Sequence, residues 1–363
     1  MPHGLTLVTA SVRRDCQTEA VFEVVAPSES ELRQAHCWFP TTDRVAGRPD
    51  ITAFKQRARL HQAEWRESRG FPMGTHPGRN GEPDDNGSKM APAGPRDKDF
   101  RNFLDSDAVR KAVEHRSSVA VKKTEPGQQF KEDRLRYDLL SSMPMCFNLF
   151  GELHGDRSRL TAAGEELFGT KAPGVTVKFE HSPRRQSNEF SNDGTAFDVA
   201  LYFDEPDGDQ SIVGIETKYH EHAVAEPKPD APKKDKRTGD VRAIPPVKLK
   251  MRHYRALSEA AVAKGIFKPG WEDLLGTELQ QIWRDHLLLL SMLFHPGGRW
   301  SSGRYVLVHP GANRAFAEAA ETYRTTFLED SITFDVVTIE DLLKRGLLHT
   351  AESQKEFESR YLW

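Results

Sequence analysis

Two stretches of the sequence decide the fold: Gly194–Phe203, which reads GTAFDVALYF, and Gly214–Lys218, which reads GIETK. Side chains in both alternate at period two, and this period predicts β-strands whose successive residues point to opposite faces. In the first stretch Asp198 shares its face with two alanines, while Phe, Val and Leu side chains take the other face. In the second stretch Glu216 and Lys218 are two positions apart and therefore share a face.

The segment between these strands decides which residues oppose each other. Glu205–Gln210 has the composition of a turn. A loop centred on Asp207 places Asp198 opposite Glu216, on the same face and about 5 Å apart. A two-residue turn would instead place Asp198 opposite Thr217 and divide the charged site. We therefore predict a loop with an odd number of residues, or a bulge that restores the shared face.

The charged residues on these strands are suited to phosphodiester hydrolysis. Two carboxylates at this separation repel each other unless a cation lies between them, and Mg²⁺ or Mn²⁺ prefers such oxygen ligands. Such an ion polarises a phosphoryl oxygen and lowers the pKa of a bound water. Lys218 would orient that water or stabilise the transition state, and the Thr217 carbonyl is a further candidate ligand. For an isolated match of this kind, a solvated strand face is the alternative.

The chain resembles the PD-(D/E)xK nuclease superfamily at these residues and, more narrowly, the PGN_0703-like restriction endonuclease group. The resemblance extends from about Phe54 to the C-terminus and leaves the first fifty residues outside. The resemblance rests on the segments Arg134–Phe150, Thr195–Asp198 and Gly214–Glu221. The proline that often precedes the aspartate in the superfamily is absent here.

This resemblance implies a role for each residue of the pattern. Asp198 and Glu216 become metal ligands and Lys218 the catalytic lysine, in a deoxyribonuclease that uses Mg²⁺ or Mn²⁺. The implied core is helix, three strands, helix and strand. The implied setting is an endonuclease in restriction, repair or phage defence. A non-catalytic nucleic-acid-binding protein with a nuclease-like fold, or an RNA-directed nuclease, are the alternatives.

Three further carboxylates are candidates for the site. Superfamily members often carry another carboxylate before the second strand, and both Glu180 on a predicted strand and Glu152 qualify, with Glu180 favoured. Glu221 follows Lys218 by three residues and either helps to arrange the site or caps the strand. A surface carboxylate is the alternative for Glu180 and Glu152.

Two polar residues on a later helix are also candidates. Thr277–Phe294 is predicted to be a helix that begins with a capping box formed by Thr277 and Gln280. Gln281 and Arg284 lie one turn apart on it and share a face. The superfamily places this helix behind the active site, so both side chains are expected near it, with exposed structural residues as the alternative.

A basic segment follows the strands and is a candidate nucleic-acid contact. Between residues 228 and 255 it includes Lys248, Lys250 and Arg252, which could bind phosphates by counterion release. A solvated linker is the alternative. The histidines at 181, 220 and 222 lack a compact partner set, so no histidine metal site is predicted.

Composition restricts the class of protein. The 363 residues have a net charge of −3, which excludes the strongly basic footprint of a passive nucleic-acid binder but not a nuclease with an acidic metal cleft. No apolar run approaches the roughly 20 residues of a membrane span, and no signal-peptide core begins the chain. Three cysteines are too few for a disulfide framework, so a cytoplasmic location is expected. The expected partner is DNA, with no membrane, and a homodimer is left open.

The order of predicted elements gives an α/β fold. It is a restriction-endonuclease-like core with a central mixed β-sheet flanked by helices, preceded by an N-terminal helical region. The predicted divisions are an N-terminal extension (1–50), a helical and loop region (51–130) and the nuclease core (131–363). The predicted helices are Thr52–Arg69, Asp99–His115, Phe130–Leu153 with an interruption near Pro144, Thr277–Phe294 and Asn313–Leu328, and a short terminal one. The predicted strands are Val175–His181, Ala196–Asp204, Ile212–His220, Arg304–His309 and Ile332–Ile339, with loops at Gly70–Arg96 and Ala225–Pro246.

Overall fold

The computed structural model of the protein describes residues 24–39, 52–77, 82–118, 130–234, 241–242, 244, 249–330 and 332–363. Most of the predicted N-terminal extension and Lys248 lie outside these ranges. The strands are β1 (Met73–Pro77), β2 (Pro83–Met90), β3 (Gly174–His181), β4 (Phe197–Asp204), β5 (Gln210–Thr217), β6 (Lys233–Lys234), β7 (Val241–Arg242), β8 (Trp300–His309) and β9 (Phe334–Thr338).

The helices surround the largest sheet in the described part of the chain. They are α1 (Glu29–Gln34), α2 (Ala53–Ser68), α3 (Asp107–Ser117), α4 (Glu132–Tyr137), α5 (Ser142–Phe150), α6 (Arg157–Phe168), α7 (Met251–Ala263), α8 (Gln280–Leu293), α9 (Arg314–Phe327), α10 (Ile339–Lys344) and α11 (Ala351–Tyr361). Short 3₁₀ turns lie at Arg96–Lys98, Gly151–Leu153 and Trp271–Leu274. None of these described helices is both long and apolar enough to cross a bilayer.

The central sheet is five-stranded and mixed, with the order β3-β4-β5-β8-β9. The first three strands are antiparallel, while β8 and β9 run parallel to β5. Apolar side chains of β4 and β5 alternate between two cores. Val199 and Ile215 pack toward α5 and the C-terminal helices, whereas Ala200 and Ile212 pack toward α7, α8 and α9. Both faces of the sheet are therefore covered, as the predicted fold class requires.

The predicted register of the β4–β5 hairpin is confirmed. Asp204 pairs with Gln210 and Val199 with Ile215, so the connecting loop has an odd number of residues and is centred on Asp207. Extending this register by one pair sets Asp198 opposite Glu216. Two carboxylates from neighbouring strands thus lie close together at this end of the sheet.

A glycine two residues before Glu216 makes room for an aromatic ring of the neighbouring strand. Gly214 lies under the ring of Phe197, and a Cβ atom there would come within 2.5 Å of that ring. Phe197 therefore packs across the neighbouring strand instead of projecting as the simple alternation predicts, and it joins the core on the α8 side. The close packing requires glycine at this position.

The predicted loop at Gly70–Arg96 is wrong, because the segment contains the β1–β2 hairpin. Its residues are mostly polar and give little strand signal. The hairpin packs on α2, and Gly87 also allows close approach to the end of α1, since a Cβ there would overlap the Ala35 carbonyl. Tertiary contact overrides a weak local propensity at this place.

Several helix boundaries also differ from prediction. The helix predicted at Asp99–His115 begins only at Asp107, because Asp99 bonds to Arg101 and holds the preceding residues in turns. The stretch predicted at Phe130–Leu153 is interrupted between α4 and α5 and not at Pro144. Pro144 lies in the first turn of α5, where the absent N–H would have no helical acceptor. The sequence prediction missed α1, α6 and α7.

The predicted capping box before α8 is wrong, because no described side chain caps the N-terminus of this helix. The helix begins at Gln280, and Thr277 Oγ1 accepts a hydrogen bond from Leu279 N. The Gln280 side chain accepts from Gly276 N and donates to the Pro227 carbonyl. Both side chains therefore fix the turn that precedes the helix, and neither caps its first turn as a capping box does.

Candidate active site

Asp198 lies at the beginning of β4 and is oriented by its neighbour on β5. Its Oδ2 accepts hydrogen bonds from Thr217 N at 2.8 Å and from Thr217 Oγ1 at 2.7 Å. Burial raises the pKa of this carboxyl, although the charge of Lys218 and the two Thr217 bonds oppose that rise. The carboxylate is therefore fixed in position while its second oxygen stays available.

Glu216 and Lys218 form a buried ion pair at the end of β5. Lys218 Nζ donates to Glu216 Oε1 at 2.7 Å, and both side chains are about one-tenth exposed. Burial, together with the charge of Asp198, raises the pKa of Glu216 well above its ordinary value. Burial alone would lower the pKa of Lys218. The negative charges of nearby carboxylates, above all Glu216, outweigh this effect and raise the pKa, so the ammonium group stays charged.

Gln281 is the residue of α8 that reaches this pair. Its Nε2 donates to Glu216 Oε1 at 3.3 Å. Gln281 lies in the first turn of α8, and its neighbours Gln280 and Ile282 are buried, so the helix positions the amide firmly. The expectation that the helix backs the site and contributes a polar side chain to it agrees with this contact.

Glu180 extends the row of carboxylates to a third strand. Phe179 pairs with Val199 and His181 with Phe197, so Glu180 lies opposite Asp198. Its backbone has φ of 49°, a conformation that costs a non-glycine residue energy and that clusters at functional sites. Burial, followed by the negative charge of Asp198, raises the pKa of Glu180 to about 7.

The three carboxylates leave oxygens that no described residue occupies. Within the described ranges no hydrogen bond reaches Asp198 Oδ1, Glu216 Oε2 or the Glu180 carboxylate. The same ranges contain no compact group of three His, Cys, Asp or Glu side chains arranged as metal ligands. Mg²⁺ is commonly held by one or two carboxylates and several waters, so Asp198 and Glu216 fit such an ion, and Glu180 is close enough in register to assist.

Thr217 acts as a donor in this structure. Its backbone N and hydroxyl both bind Asp198, and the hydroxyl also lies 3.5 Å from the Ser142 carbonyl of α5. These contacts assign it a positioning role that the sequence reasoning missed. Its predicted role as a carbonyl ligand stays a prediction.

Glu221 arranges the chain just beyond the site. Its Oε2 accepts from Tyr219 N at 2.8 Å, and its Oε1 lies 4.0 Å from Arg134 Nη2. Burial would raise the pKa of Glu221, but the charges of His220 and Lys218 and the hydrogen bond from Tyr219 lower it overall. Glu221 therefore fixes the turn that follows Lys218.

Glu152 does not join the row of carboxylates. Its Oε2 accepts from His349 N at 2.8 Å and its Oε1 from Ser353 Oγ at 3.0 Å, while Arg159 lies 3.5 Å from Oε2. Both oxygens thus hold the segment that leads into α11. These contacts indicate a structural role for Glu152, and its role as the additional carboxylate stays a prediction.

Arg284 points to a different group from the one expected. Its Nη1 pairs with Glu226 at 3.0 Å, on the segment that follows β5. The described residues show no bond from Arg284 to Asp198, Glu216 or Glu180. Arg284 thus fixes that segment against α8.

Asp285 is a buried carboxylate near the site that the sequence reasoning missed. It is 4% exposed and accepts a hydrogen bond from Tyr305 Oη at 3.3 Å. Burial raises its pKa to about 7, against the opposing charges of Arg284 and Lys218, and its own charge contributes to the raised pKa of Glu216. The signal in the sequence was its position four residues after Gln281, which places both on one face of α8.

The basic segment is described only in part. Lys250 and Met251 donate their backbone N–H groups to Asp230 at the start of α7, and Arg252 is exposed on that helix. Lys248 lies outside the described residues. Contact of this segment with nucleic acid stays a prediction.

Comparison with known proteins gives one family. The PD-(D/E)XK nuclease superfamily matches residues 49–363. No curated protein and no solved structure matches the chain. The five-stranded mixed sheet with helices on both faces is consistent with the restriction-endonuclease-like core of that family. The match does not distinguish the narrower restriction endonuclease group.

Proposed function

We propose that this chain, which belongs to the PD-(D/E)XK nuclease superfamily, is an endonuclease that hydrolyses DNA phosphodiester bonds with Mg²⁺ or Mn²⁺. Restriction, repair and phage defence are the settings that suit such an activity. The observation that supports the proposal most is the row Glu180, Asp198 and Glu216 across three neighbouring strands, with Lys218 bonded to the last of them.

The arrangement of charges suits the binding of a divalent cation. Burial raises the pKa of all three carboxyls, with mutual repulsion adding to the effect at Glu180 and Glu216. A cation between them removes that repulsion and favours their ionised forms. Asp198 and Glu216 would hold the ion, and when bound it supplies Lewis-acid activation of water and phosphate.

Lys218 carries the positive charge that the reaction requires of the protein. Its ammonium group is kept protonated by the surrounding carboxylates, so it donates hydrogen bonds and cannot act as a base. Placed beside Glu216, it is suited to orient the attacking water or to stabilise the charge that develops on the phosphoryl oxygens. Thr217 and Gln281 hold Asp198 and Glu216 in place for this purpose.

The proposal is tested by incubating the purified chain with supercoiled plasmid, linear duplex, single-stranded DNA and matched RNA, with Mg²⁺, Mn²⁺ or chelator. We expect metal-dependent cleavage of DNA. Because Lys218→Ala removes the transition-state charge, it should lower the rate by about 100-fold or more. Lys171→Ala, which changes an exposed lysine after α6, is the matched control and should cleave normally.

Other outcomes separate the alternatives. Cleavage of RNA with DNA left intact would favour an RNA-directed nuclease of the same fold. Tight nucleic-acid binding without metal, unchanged in Asp198→Ala and without cleavage of any substrate, would favour a non-catalytic binding protein.

A further inference from the structure

A polar cavity adjoins the proposed catalytic residues. Its volume is about 280 Å³, the space of about nine water molecules. Its walls come from β2, from the connection between α4 and α5, from the residues that follow β5, and from Phe39. Four separate parts of the chain therefore converge on one concave surface.

The cavity and the catalytic residues share their supporting segments. Glu221 lines the cavity, and its carboxylate holds Tyr219 N directly after Lys218. Ser141 lines another wall, and the next residue, Ser142, offers its carbonyl to Thr217 at 3.5 Å. The cavity and the catalytic residues are thus joined through the residues that follow β5 and through the start of α5.

The charges on the cavity walls balance, and this argues for a neutral ligand. Lys89 and Arg134 are matched by Asp138 and Glu221. A site for phosphate would instead present an excess of cations. Arg134 is 45% exposed, so it lies where it can pair with a backbone phosphate outside the cavity.

Hydrogen-bonding groups in the cavity are fixed and incompletely used. Asn86 is 7% exposed, and its Oδ1 accepts from Ser88 N at 3.0 Å and from Ser88 Oγ at 2.8 Å. These bonds settle the orientation of the amide, so Nδ2 is a donor, and no described residue accepts from it. Asp138 Oδ1 accepts from Leu140 N at 3.2 Å, which leaves Oδ2 as an acceptor without a described donor.

An aromatic ring adds the apolar surface that a planar ligand needs. Phe39 lines the same cavity, and the guanidinium of Arg59 lies 4.9 Å from the centre of its ring. A nucleobase presents a flat apolar face together with donors and acceptors along its edge, which matches a ring, a fixed amide donor and a carboxyl acceptor.

We propose that this cavity receives one nucleobase, turned out of the DNA duplex, beside the phosphate that the chain cleaves. The inference rests on the proposed nuclease function and adds a recognition pocket to it. Asn86 and Asp138 read the edge of the base, Phe39 contacts its face, and Arg134 pairs with a neighbouring phosphate.

The test measures affinity without cleavage. The full chain carrying Asp198→Asn is titrated with a series of DNA duplexes in the absence of divalent metal. The duplexes have the same length, and each contains one mismatched base pair at a different position. A pocket for an extruded base favours the duplex in which that base is already unpaired, because less pairing energy is lost. We expect tighter binding, by about tenfold, at one or two positions of the mismatch and unchanged binding at the others.

Two pocket variants identify the cavity as the source of this preference. Asn86→Leu removes the fixed donor, and Leu140→Trp fills the cavity from its half-buried wall without removing a side-chain hydrogen bond. Each variant should bind all mismatch positions with equal affinity. Its affinity for fully paired duplex should stay within about threefold of that of the parent chain. Leu257→Trp, on α7 away from the cavity, is the matched control and should keep the preference.

The outcomes separate this inference from the proposed function. Equal affinity for every mismatch position, in a chain whose unmodified form cuts DNA, overturns the pocket and leaves the nuclease. A preference that survives in both folded pocket variants also overturns it. Absence of DNA binding and cleavage in the unmodified chain overturns both proposals.

Discussion

At the scale of single residues, the site depends on carboxylates that the fold holds together against their repulsion. Glu180, Asp198 and Glu216 each have a pKa above the ordinary value because burial disfavours their charged forms. Lys218 compensates part of this negative charge directly at Glu216. Keeping these carboxylates close together costs free energy. Such a cost is typical of sites where a bound ligand supplies the compensating positive charge.

Glu180 gives a prediction about pH with a definite sign. Its pKa is about 7 when folded and near 4.5 in an unfolded chain, so between these values the folded state binds more protons. The contribution of Glu180 to stability is therefore greatest below about pH 4.5 and is lost as the pH rises toward 7. Glu180→Gln, which cannot ionise, should gain stability relative to the unmodified chain between pH 5 and pH 8, by about 1–3 kcal/mol.

The measurement is chemical denaturation of both proteins at each pH in the presence of chelator. Glu259→Gln, an exposed residue of α7, serves as the control and should follow the unmodified chain. A difference between Glu180→Gln and the unmodified chain that stays constant across this range would contradict a raised pKa at Glu180.

At the scale of elements, the β4–β5 hairpin brings the site together, and its register was predictable. Strand alternation and the turn-like composition around Asp207 were enough to set Asp198 opposite Glu216. The contribution of Glu180 was less accessible, because its position depends on β3 pairing with β4 and on a left-handed backbone that glutamate rarely adopts. Asp285 was missed because its spacing from Gln281 indicates a shared face of α8 but gives no sign that the carboxylate is buried there.

The remaining prediction errors have a common physical cause. The β1–β2 hairpin and the late start of α3 both depend on tertiary contacts and on side chains bonded to the backbone. Local propensity and periodicity carry no information about such partners. The central strands were predictable because their own apolar pattern determines which faces they bury.

Gly214 provides a test of packing within this hairpin. Gly214→Ala places a Cβ against the Phe197 ring, and we expect a loss of about 1–3 kcal/mol in the free energy of unfolding. Phe197→Leu in the same chain should recover part of that loss because the smaller side chain leaves space. Denaturation of the two single variants and the double variant checks this, and strictly additive effects would contradict direct contact between the two positions.

At the scale of the whole molecule, α2 and the C-terminal helix α11 are both bonded to the elements that carry the site. Gln62 of α2 donates to Tyr219 Oη at 3.0 Å and to the Arg360 carbonyl at 2.5 Å, so one side chain joins the segment after Lys218 to α11. Asn148 of α5 donates to Tyr361 Oη at 3.0 Å. The C-terminal helix thus supports the elements that carry the catalytic residues.

Glu152 tests whether this closure is separate from catalysis. Glu152→Ala leaves His349 N and Ser353 Oγ without their acceptor, and we expect a loss of about 1–3 kcal/mol in stability. Cleavage by the folded variant at low temperature should stay close to normal. A large fall in activity with unchanged stability would contradict the structural role and return Glu152 to the catalytic candidates.

The central claim is that Asp198 and Glu216 together hold a divalent cation, and calorimetric titration with Mn²⁺ tests it most directly. We predict that the unmodified chain binds Mn²⁺, because a cation between the two carboxylates removes the repulsion that Asp198 exerts on Glu216. Asp198→Asn and Glu216→Gln should each lower the affinity by about tenfold or more, whereas Glu259→Gln should not. Equal affinity in the unmodified chain and both site variants would contradict the claim.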